Sequence, residues 1–243
     1  MNYKMTFKRY ELKYLLTLAQ KERIMRAMSA HMALDEYGRS SIRNIYFDTQ
    51  SYRLIRQSIE KPVYKEKLRI RSYGQASPGS DVFVELKKKY RDVVYKRRLS
   101  MPERQAMGWL SGEPHIRRDG QIADEIDYFL SYYGTLRPTV FLSYERAAFY
   151  AQDGTGFRVT FDDEILCRRE ALSLESGVWG VPLLEEGAVL MELKCSGGIP
   201  LWMTHALTRE RLCKTSFSKY GAAYEKILLP DWKERDLNVQ IAV

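Results

Sequence analysis

The stretch that decides the fold is VYKEKLRIRSY at residues 63–73, followed by VFVELKKKY at 82–90 and VVYKRRLSM at 93–101. In all three segments, long charged side chains recur at every second position. Residues two apart lie on the same face of a β-strand, because successive side chains point to opposite faces. Each segment is therefore predicted to be a strand with one charged face.

The last two of these strands form a hairpin whose register can be tested by counting. With a two-residue turn at 91–92, Lys87 faces Lys96 and Glu85 faces Arg98. Two facing lysines repel one another in a simple sheet. An anion between them would reverse the sign of that interaction, so the hairpin points to an anionic ligand.

Charged faces recur on four further predicted strands. They carry Glu11 and Lys13; Tyr144 and Arg146; Arg158, Thr160 and Asp162; and Glu192 and Lys194. One interpretation is an antiparallel sheet with one face in water. The other is a barrel whose charged faces point inward, where unpaired charges are costly unless a polyanion or water occupies the interior. The repetition favours the second interpretation, a basic tunnel with a few acidic residues.

Other strands and helices follow from periodicity and from start and stop signals. Thr17 is the expected cap of the first helix. The remaining strands are predicted at residues 8–16, 41–48, 139–151, 157–167 and 188–195, and helices at 17–31, 51–58, 102–110, 121–133, 200–213 and 219–229. Strands in hairpin order with helices between some of them indicate an antiparallel α+β protein or a closed barrel.

Composition limits the possible partners and compartment. The chain has 243 residues, of which 45% are hydrophobic and 12% aromatic, so it is predicted to fold rather than to be disordered. Its net charge of +8 favours a polyanionic partner: nucleic acid, an anionic membrane surface or a phosphorylated small molecule. We see no secretory leader, no membrane-spanning run and no CxxC pair among three cysteines. We therefore expect a reduced, soluble, cytoplasmic protein.

Several other features carry no predicted chemistry. Neither a P-loop nor a GxGxxG motif after a strand is present in the sequence. His31, His115 and His205 are widely spaced and are predicted to be structural. Asp162 lies on a charged face by parity, but beside Asp163 it is interpreted as a turn residue.

Eight short sequence motifs occur in this order along the chain: FKRYELKYLL, KLRIRSYG, FVELKKK, YKRR, SYERAAF, FRVTFD, MELK and TSFSKY. From about residue 6 to residue 229 the sequence resembles the VTC domain, the polyphosphate polymerase domain of the triphosphate tunnel metalloenzyme (CYTH-like) superfamily. The resemblance implies an eight-stranded antiparallel β-barrel with a charged interior, covered by helices. It also implies one domain at residues 1–230 and a C-terminal tail at 231–243.

The resemblance further implies site residues. Glu192 would hold a divalent metal, Mn²⁺ or Mg²⁺. Phosphate groups would contact Lys13, Arg69, Arg71, Lys87, Lys96, Tyr144, Arg146, Arg158, Ser218 and Lys219. Glu11, Glu85, Arg98 and Lys194 share the tunnel face without an individual role. Glu11 or Glu85 would have one of two roles, that of a second metal ligand or that of an ion-pair partner of a neighbouring cation. We favour the ion pair.

The function implied is metal-dependent phosphoryl transfer on a nucleotide triphosphate, with ATP-driven polyphosphate synthesis as the leading reaction. The alternatives are a triphosphatase and a non-catalytic module that binds polyphosphate or inositol phosphates. Nucleic acid is not an expected partner, because RNA-binding sheets expose aromatic side chains among their cations. If polymer crosses a membrane, a separate membrane protein is the expected partner.

Overall fold

A computed structural model describes residues 10–91, 93–113 and 120–233. The strands are β1 (Tyr10–Thr17), β2 (Met32–Asp48), β3 (Tyr64–Tyr73), β4 (Asp81–Tyr90), β5 (Val93–Pro102), β6 (Arg137–Ala151), β7 (Arg158–Arg168), β8 (Val181–Pro182), β9 (Ala188–Cys195) and β10 (Lys214–Thr215). The helices are α1 (Leu18–Met28), α2 (Arg53–Ile59), α3 (Glu103–Leu110), α4 (Gln121–Tyr133), α5 (Leu201–Arg209) and α6 (Lys219–Ala223), which continues into a π-helical turn at Tyr224–Leu228.

The ten strands form one antiparallel sheet in the order β10-β1-β9-β7-β6-β2-β3-β4-β5, with β8 attached to β7. The predicted antiparallel α+β architecture is confirmed, but the closed eight-stranded barrel is wrong. Among the described residues, no backbone ladder joins β5 to the other edge of the sheet. The sheet nevertheless curls, as shown by Lys87 on β4, which lies 3.5 Å from Glu11 on β1, six strands away in the hydrogen-bonded order. One face is therefore concave and encloses side chains from both ends.

The convex face is covered by helices in two separate clusters. In one, Leu68 and Leu86 on the sheet pack with Trp109 of α3 and Phe129 of α4, and all four are at most 4% exposed. In the other, β1 and β9 pack against α1 and α5 through residues such as Met191. Burial of these apolar faces stabilises the curl, because each helix has an apolar stripe that must be covered.

A third apolar cluster occupies part of the concave face. Tyr46, Leu142 and Leu190 on the sheet pack there against Tyr220 of α6 and Leu228 of the π-helical turn. The Tyr46 and Tyr220 rings are stacked with centroids 4.5 Å apart. The last helix thus fills one region of the concave face, and the charged side chains occupy the rest.

The local predictions agree closely for the central hairpin and for α4. Lys87 pairs with Lys96 and Glu85 with Arg98, as the two-residue turn requires. Arg91 has a left-handed φ of 52°, while Asp92 lies outside the described residues, as does His115. Thr17 caps α1 in a capping box with Gln20.

The prediction for β2 was too short. The strand begins at Met32 rather than at residue 41. Its first half was not predicted because it has no regular alternation and contains a register shift between Leu34 and Arg39. The two-residue strands β8 and β10 are too short to give a periodic signal. Of the predicted tail, only residues 231–233 are described, as the continuation of the last helix. No described helix has both the length and the apolar character needed to cross a bilayer.

Candidate functional site

Glu85 on β4 is the centre of one group of charges on the concave face, although it is only 1% exposed. It accepts hydrogen bonds from Arg69 at 2.7 and 2.9 Å and from Arg98 at 2.9 Å, and the Lys96 Nζ lies 2.6 Å away. Burial alone would raise the pKa of Glu85, but Arg69, Arg71 and Lys96 outweigh it and hold that pKa below its ordinary value. The carboxylate therefore fixes the positions of several cations.

Asp162 on β7 plays the same part on the opposite side of the concave face and is fully buried. Arg146 donates to both of its oxygens, each at 2.6 Å, and Lys219 at the start of α6 donates to Oδ2. Burial would raise the pKa of Asp162, but Lys219 and Arg146 lower it overall. A two-point contact of this kind fixes the plane of the guanidinium group.

Tyr144 lies between these two groups of charges and is 4% exposed. Arg71 donates to its hydroxyl at 3.3 Å, and the Lys219 Nζ lies 4.4 Å from its ring centroid. Burial would raise the pKa of Tyr144, but Arg71, Arg146 and Lys219 lower it to about 8. The phenol thus connects the Glu85 side of the concave face to the Asp162 side.

Glu192 on β9 differs from Glu85 and Asp162, although it too is buried. Its oxygens lie 3.4 to 3.8 Å from the cationic nitrogens of four side chains: Lys13, Lys219, Arg146 and Lys194. Within the described residues it accepts no hydrogen bond, so its lone pairs are uncommitted. Burial would raise its pKa, but Lys219 and Lys13 hold the pKa well below its ordinary value. A charged carboxylate with free lone pairs is suited to a cation.

We call these three carboxylates and the side chains around them the concave cluster. With Glu11 included, the concave cluster has four carboxylates, and its cations outnumber them. The cations are Lys13, Lys67, Arg69, Arg71, Lys87, Lys96, Arg98, Arg146, Lys194 and Lys219, with Arg158 at the exposed edge. Such an excess of fixed positive charge attracts a polyanion.

The VTC domain family model matches residues 8–228, nearly the whole chain. The chain belongs to the VTC domain family. Among solved structures, a candidate adenylate cyclase from Bacillus halodurans is similar, with 16% identity and a TM-score of 0.52 over 87% of this chain and 95% of that one. A candidate adenylyl cyclase from Hippeastrum, described as having a dominant triphosphatase activity, has 16% identity and a TM-score of 0.48 over 89% and 94% of the two chains. No curated protein gives a significant match. At this identity, the Bacillus likeness shows a shared fold.

The concave cluster of this VTC domain contains nearly every residue expected from the sequence. Arg158 is the exception, since it is exposed and lies opposite Lys194 at the first position of β7. Ser218 caps the last helix through the Gly221 amide and accepts a further hydrogen bond from Lys67 at 3.0 Å.

Glu11 and Glu85 both make ion pairs. Glu11 lies 3.6 Å from Lys13 and 3.5 Å from Lys87, and burial, which would raise its pKa, is outweighed by Lys87 and Lys13, which lower it to about 2. Glu85 is held by the cations described above. Both carboxylates are therefore charged near neutral pH and balance part of the positive charge.

A metal fits the VTC domain only if the substrate supplies ligands. No three His, Cys, Asp or Glu side chains in the described part of the chain are grouped closely enough to hold a metal ion by themselves. Mg²⁺ commonly binds through one or two carboxylates together with waters and substrate phosphates. Glu192, whose oxygens accept no hydrogen bond from the described residues, could supply the carboxylate of such a site.

Two residues of the cluster were missed by the sequence reasoning. Asp162 is not in a turn, because β7 continues to Arg168 and places Asp162 against Arg146. Its parity with Thr160 was the signal that could have identified it. Lys67 shared a face with Arg69 and Arg71 in the sequence, but no role was assigned to it.

Proposed function

We propose that the concave cluster binds the triphosphate of a nucleotide and catalyses metal-dependent phosphoryl transfer, with ATP-driven polyphosphate synthesis as the reaction. The observation that carries this proposal is the pair of buried carboxylates, Glu85 and Asp162, which hold arginines on opposite sides of one cation-rich concavity. Arg side chains present a planar fork to phosphate oxygens, whereas Lys presents a point charge. Membership of the VTC domain family supports the same substrate class.

The proposed mechanism depends on positioning and on charge neutralisation. Arg69, Arg71 and Arg146 would bind non-bridging phosphate oxygens. Because carboxylate, side-chain amide and hydroxyl oxygens already hold them, little reorganisation is needed as charge develops in the transition state. Glu192 would hold the divalent metal, which supplies further charge neutralisation when bound.

Two observations bear on the alternatives. Tyr144 is buried among cations rather than exposed for stacking on bases, which argues against nucleic acid as the ligand. The apolar cluster around Tyr220 and Leu228 fills part of the concave face. A polymerase needs a path by which the growing polyphosphate leaves the site, whereas a triphosphatase does not. The apolar cluster narrows the space for such a path, so a triphosphatase is the second candidate.

Product analysis separates these two reactions. We expect purified protein with ATP and Mn²⁺ to produce ADP and a ladder of long polyphosphate on a gel, and a short polyphosphate primer to shorten any lag. ADP with orthophosphate alone, even with primer, would contradict the polymerase and support the triphosphatase. Absence of any turnover, with binding retained, would leave only the binding module.

Ligand-induced stabilisation tests the site itself. Triphosphate at a hundredfold excess over its Kd should stabilise the native protein by about 2.7 kcal/mol and raise Tm. We expect Arg69→Ala to lose most of that shift, because Arg69 lies at the centre of the Glu85 group, and Arg158→Ala to lose less, because Arg158 is exposed.

Arg97→Ala is the matched control for this measurement. Arg97 lies on β5 next to Lys96 and Arg98, but it pairs with Glu125 of α4 on the convex face. Its substitution removes one positive charge without altering the concave cluster, so the triphosphate shift should be unchanged. Equal shifts in the wild type, Arg69→Ala and Arg158→Ala would contradict the proposed site.

A further inference from the structure

Lys67 lies on the concave face of β3, two residues before Arg69, and is half-buried. Its Nζ donates a hydrogen bond to the Ser218 Oγ at 3.0 Å and lies 5.9 Å from the ring centroid of Tyr220. Residues two apart on a strand are separated by about 6.6 Å, so Lys67 continues the row of cations formed by Arg69 and Arg71. It is positioned to meet a phosphate chain that extends past the arginine pair.

Three neighbouring cations, Lys13, Lys87 and Arg69, have carboxylate partners, whereas Lys67 has none among the described residues. Lys13 lies 3.4 Å from Glu192, Lys87 lies 3.5 Å from Glu11, and Arg69 is bound by Glu85. Within the described residues, no carboxylate oxygen lies within ion-pair distance of the Lys67 Nζ. The charged and titratable groups around it are Lys13 from β1, Lys87 from β4, Lys65 and Arg69 from β3, and Tyr220 from α6.

This environment disfavours the charged form of Lys67. Burial and the positive charges of Lys13, Lys87, Lys65 and Arg69 lower the pKa of Lys67 to about 7. Near pH 7 the amine of Lys67 is therefore divided between its neutral and its charged form. The empty site is less positive than the sequence suggests.

We propose that Lys67 is a further phosphate-binding residue of the concave cluster and that binding of a phosphate chain is coupled to uptake of a proton by its amine. This inference rests on the proposed function and adds to it a regulation by pH. The proton comes from the solvent or buffer and joins the Nζ lone pair, and no other bond changes. The phosphate oxygens supply the negative charge that Lys67 lacks, so the ammonium form becomes the stable one in the complex.

The direction of the pH effect follows from linkage. The bound state holds more protons at Lys67 than the free state, so affinity falls as pH rises through 7. Between pH 7 and 8.5 the contribution of Lys67 should weaken binding by about tenfold. Lys219, which is paired with Asp162, and the arginines stay charged throughout this range and give no such effect.

This coupling can be tested by titration calorimetry with inorganic triphosphate in metal-free buffer that contains a chelator. Measurements at pH 7 in two buffers of different ionisation enthalpy give the number of protons taken up on binding. We compare the wild type with Lys67→Arg, which is always charged, and with Lys67→Met, which is never charged. Proton changes on the triphosphate, on Lys96 and on Tyr144 occur in all three proteins, so differences between them report Lys67.

We expect the wild type to take up about half a proton more than either variant at pH 7. Lys67→Arg should lose less affinity than the wild type between pH 7 and 8.5, whereas Lys67→Met should bind weakly at both pH values. Equal proton uptake in all three proteins, or an equal fall in affinity with pH, would overturn the proposal for Lys67 while leaving the triphosphate site intact. No binding by the wild type would instead contradict the proposed function.

Discussion

Glu192→Gln is expected to reduce turnover with Mn²⁺ to less than a tenth of the wild-type value, a loss of more than about 1.4 kcal/mol in transition-state stabilisation. The reason is that Glu192 is the one buried carboxylate of the concave cluster whose oxygens accept no hydrogen bond within the described residues, so its lone pairs are available to a metal. Triphosphate affinity without metal should be retained or increased, because the substitution removes a negative charge from among Lys13, Lys219 and Arg146. Steady-state kinetics and metal-free binding measure the two effects separately.

Glu125→Gln provides the control for loss of one carboxylate charge. Glu125 pairs with Arg97 and Lys88 on the convex side, so its substitution should leave turnover unchanged. If Glu192→Gln retains more than about a tenth of wild-type turnover, Glu192 is not the metal ligand. Loss of the native fold, checked by circular dichroism, would require the same comparison with Glu192→Asp, which keeps the charge but shortens the reach to the metal.

Glu85→Ala should have the largest effect on stability, lowering the free energy of unfolding by about 3 to 5 kcal/mol. Removal of this 1%-exposed carboxylate leaves Arg69, Lys96 and Arg98 close together without their shared counter-charge. Urea unfolding at pH 7 measures the loss. Triphosphate should stabilise Glu85→Ala more than it stabilises the wild type, because the bound anion replaces the missing carboxylate.

Glu125→Ala is the matched stability control. Glu125 also accepts from an arginine of β5, Arg97, but both side chains are partly exposed, and exposed pairs contribute about 1 kcal/mol or less. Similar losses in Glu85→Ala and Glu125→Ala would mean that Glu85 is no more than an ordinary surface partner. A large loss in Glu85→Ala that triphosphate does not reverse would separate a structural role from a role in the anion site.

The face on which each charged residue lies could be read from the sequence, since alternation has a period of two. The register of β4 and β5 followed from a two-residue turn, so the facing of Lys87 and Lys96 could be predicted by counting. Alternation does not indicate whether the first and last strands of a sheet meet. The closed barrel came from a family resemblance, and the absence of a backbone ladder between the edge strands β5 and β10 in the described residues contradicts it.

The pairing of charges within the site could not be predicted from sequence. Glu192 and Asp162 lie on adjacent strands and share a cation environment, yet only Asp162 is fully hydrogen-bonded. That difference depends on distances between side chains from β6, β9 and the last helix, which are far apart in the chain. The isolation of Lys67 from any carboxylate within the described residues has the same origin, because its neighbours come from β1, β4 and α6.

No backbone ladder joins the two edges of the sheet within the part of the chain that the structure describes. The contact between Lys87 and Glu11 instead links β4 and β1, the strands next to the two edges, through side chains 3.5 Å apart. An ion pair is screened by dissolved salt, with a Debye length of about 8 Å at physiological ionic strength, whereas a backbone ladder is nearly insensitive to it. A rise in ionic strength is therefore expected to weaken the Lys87–Glu11 contact more than it weakens the backbone ladders of the sheet.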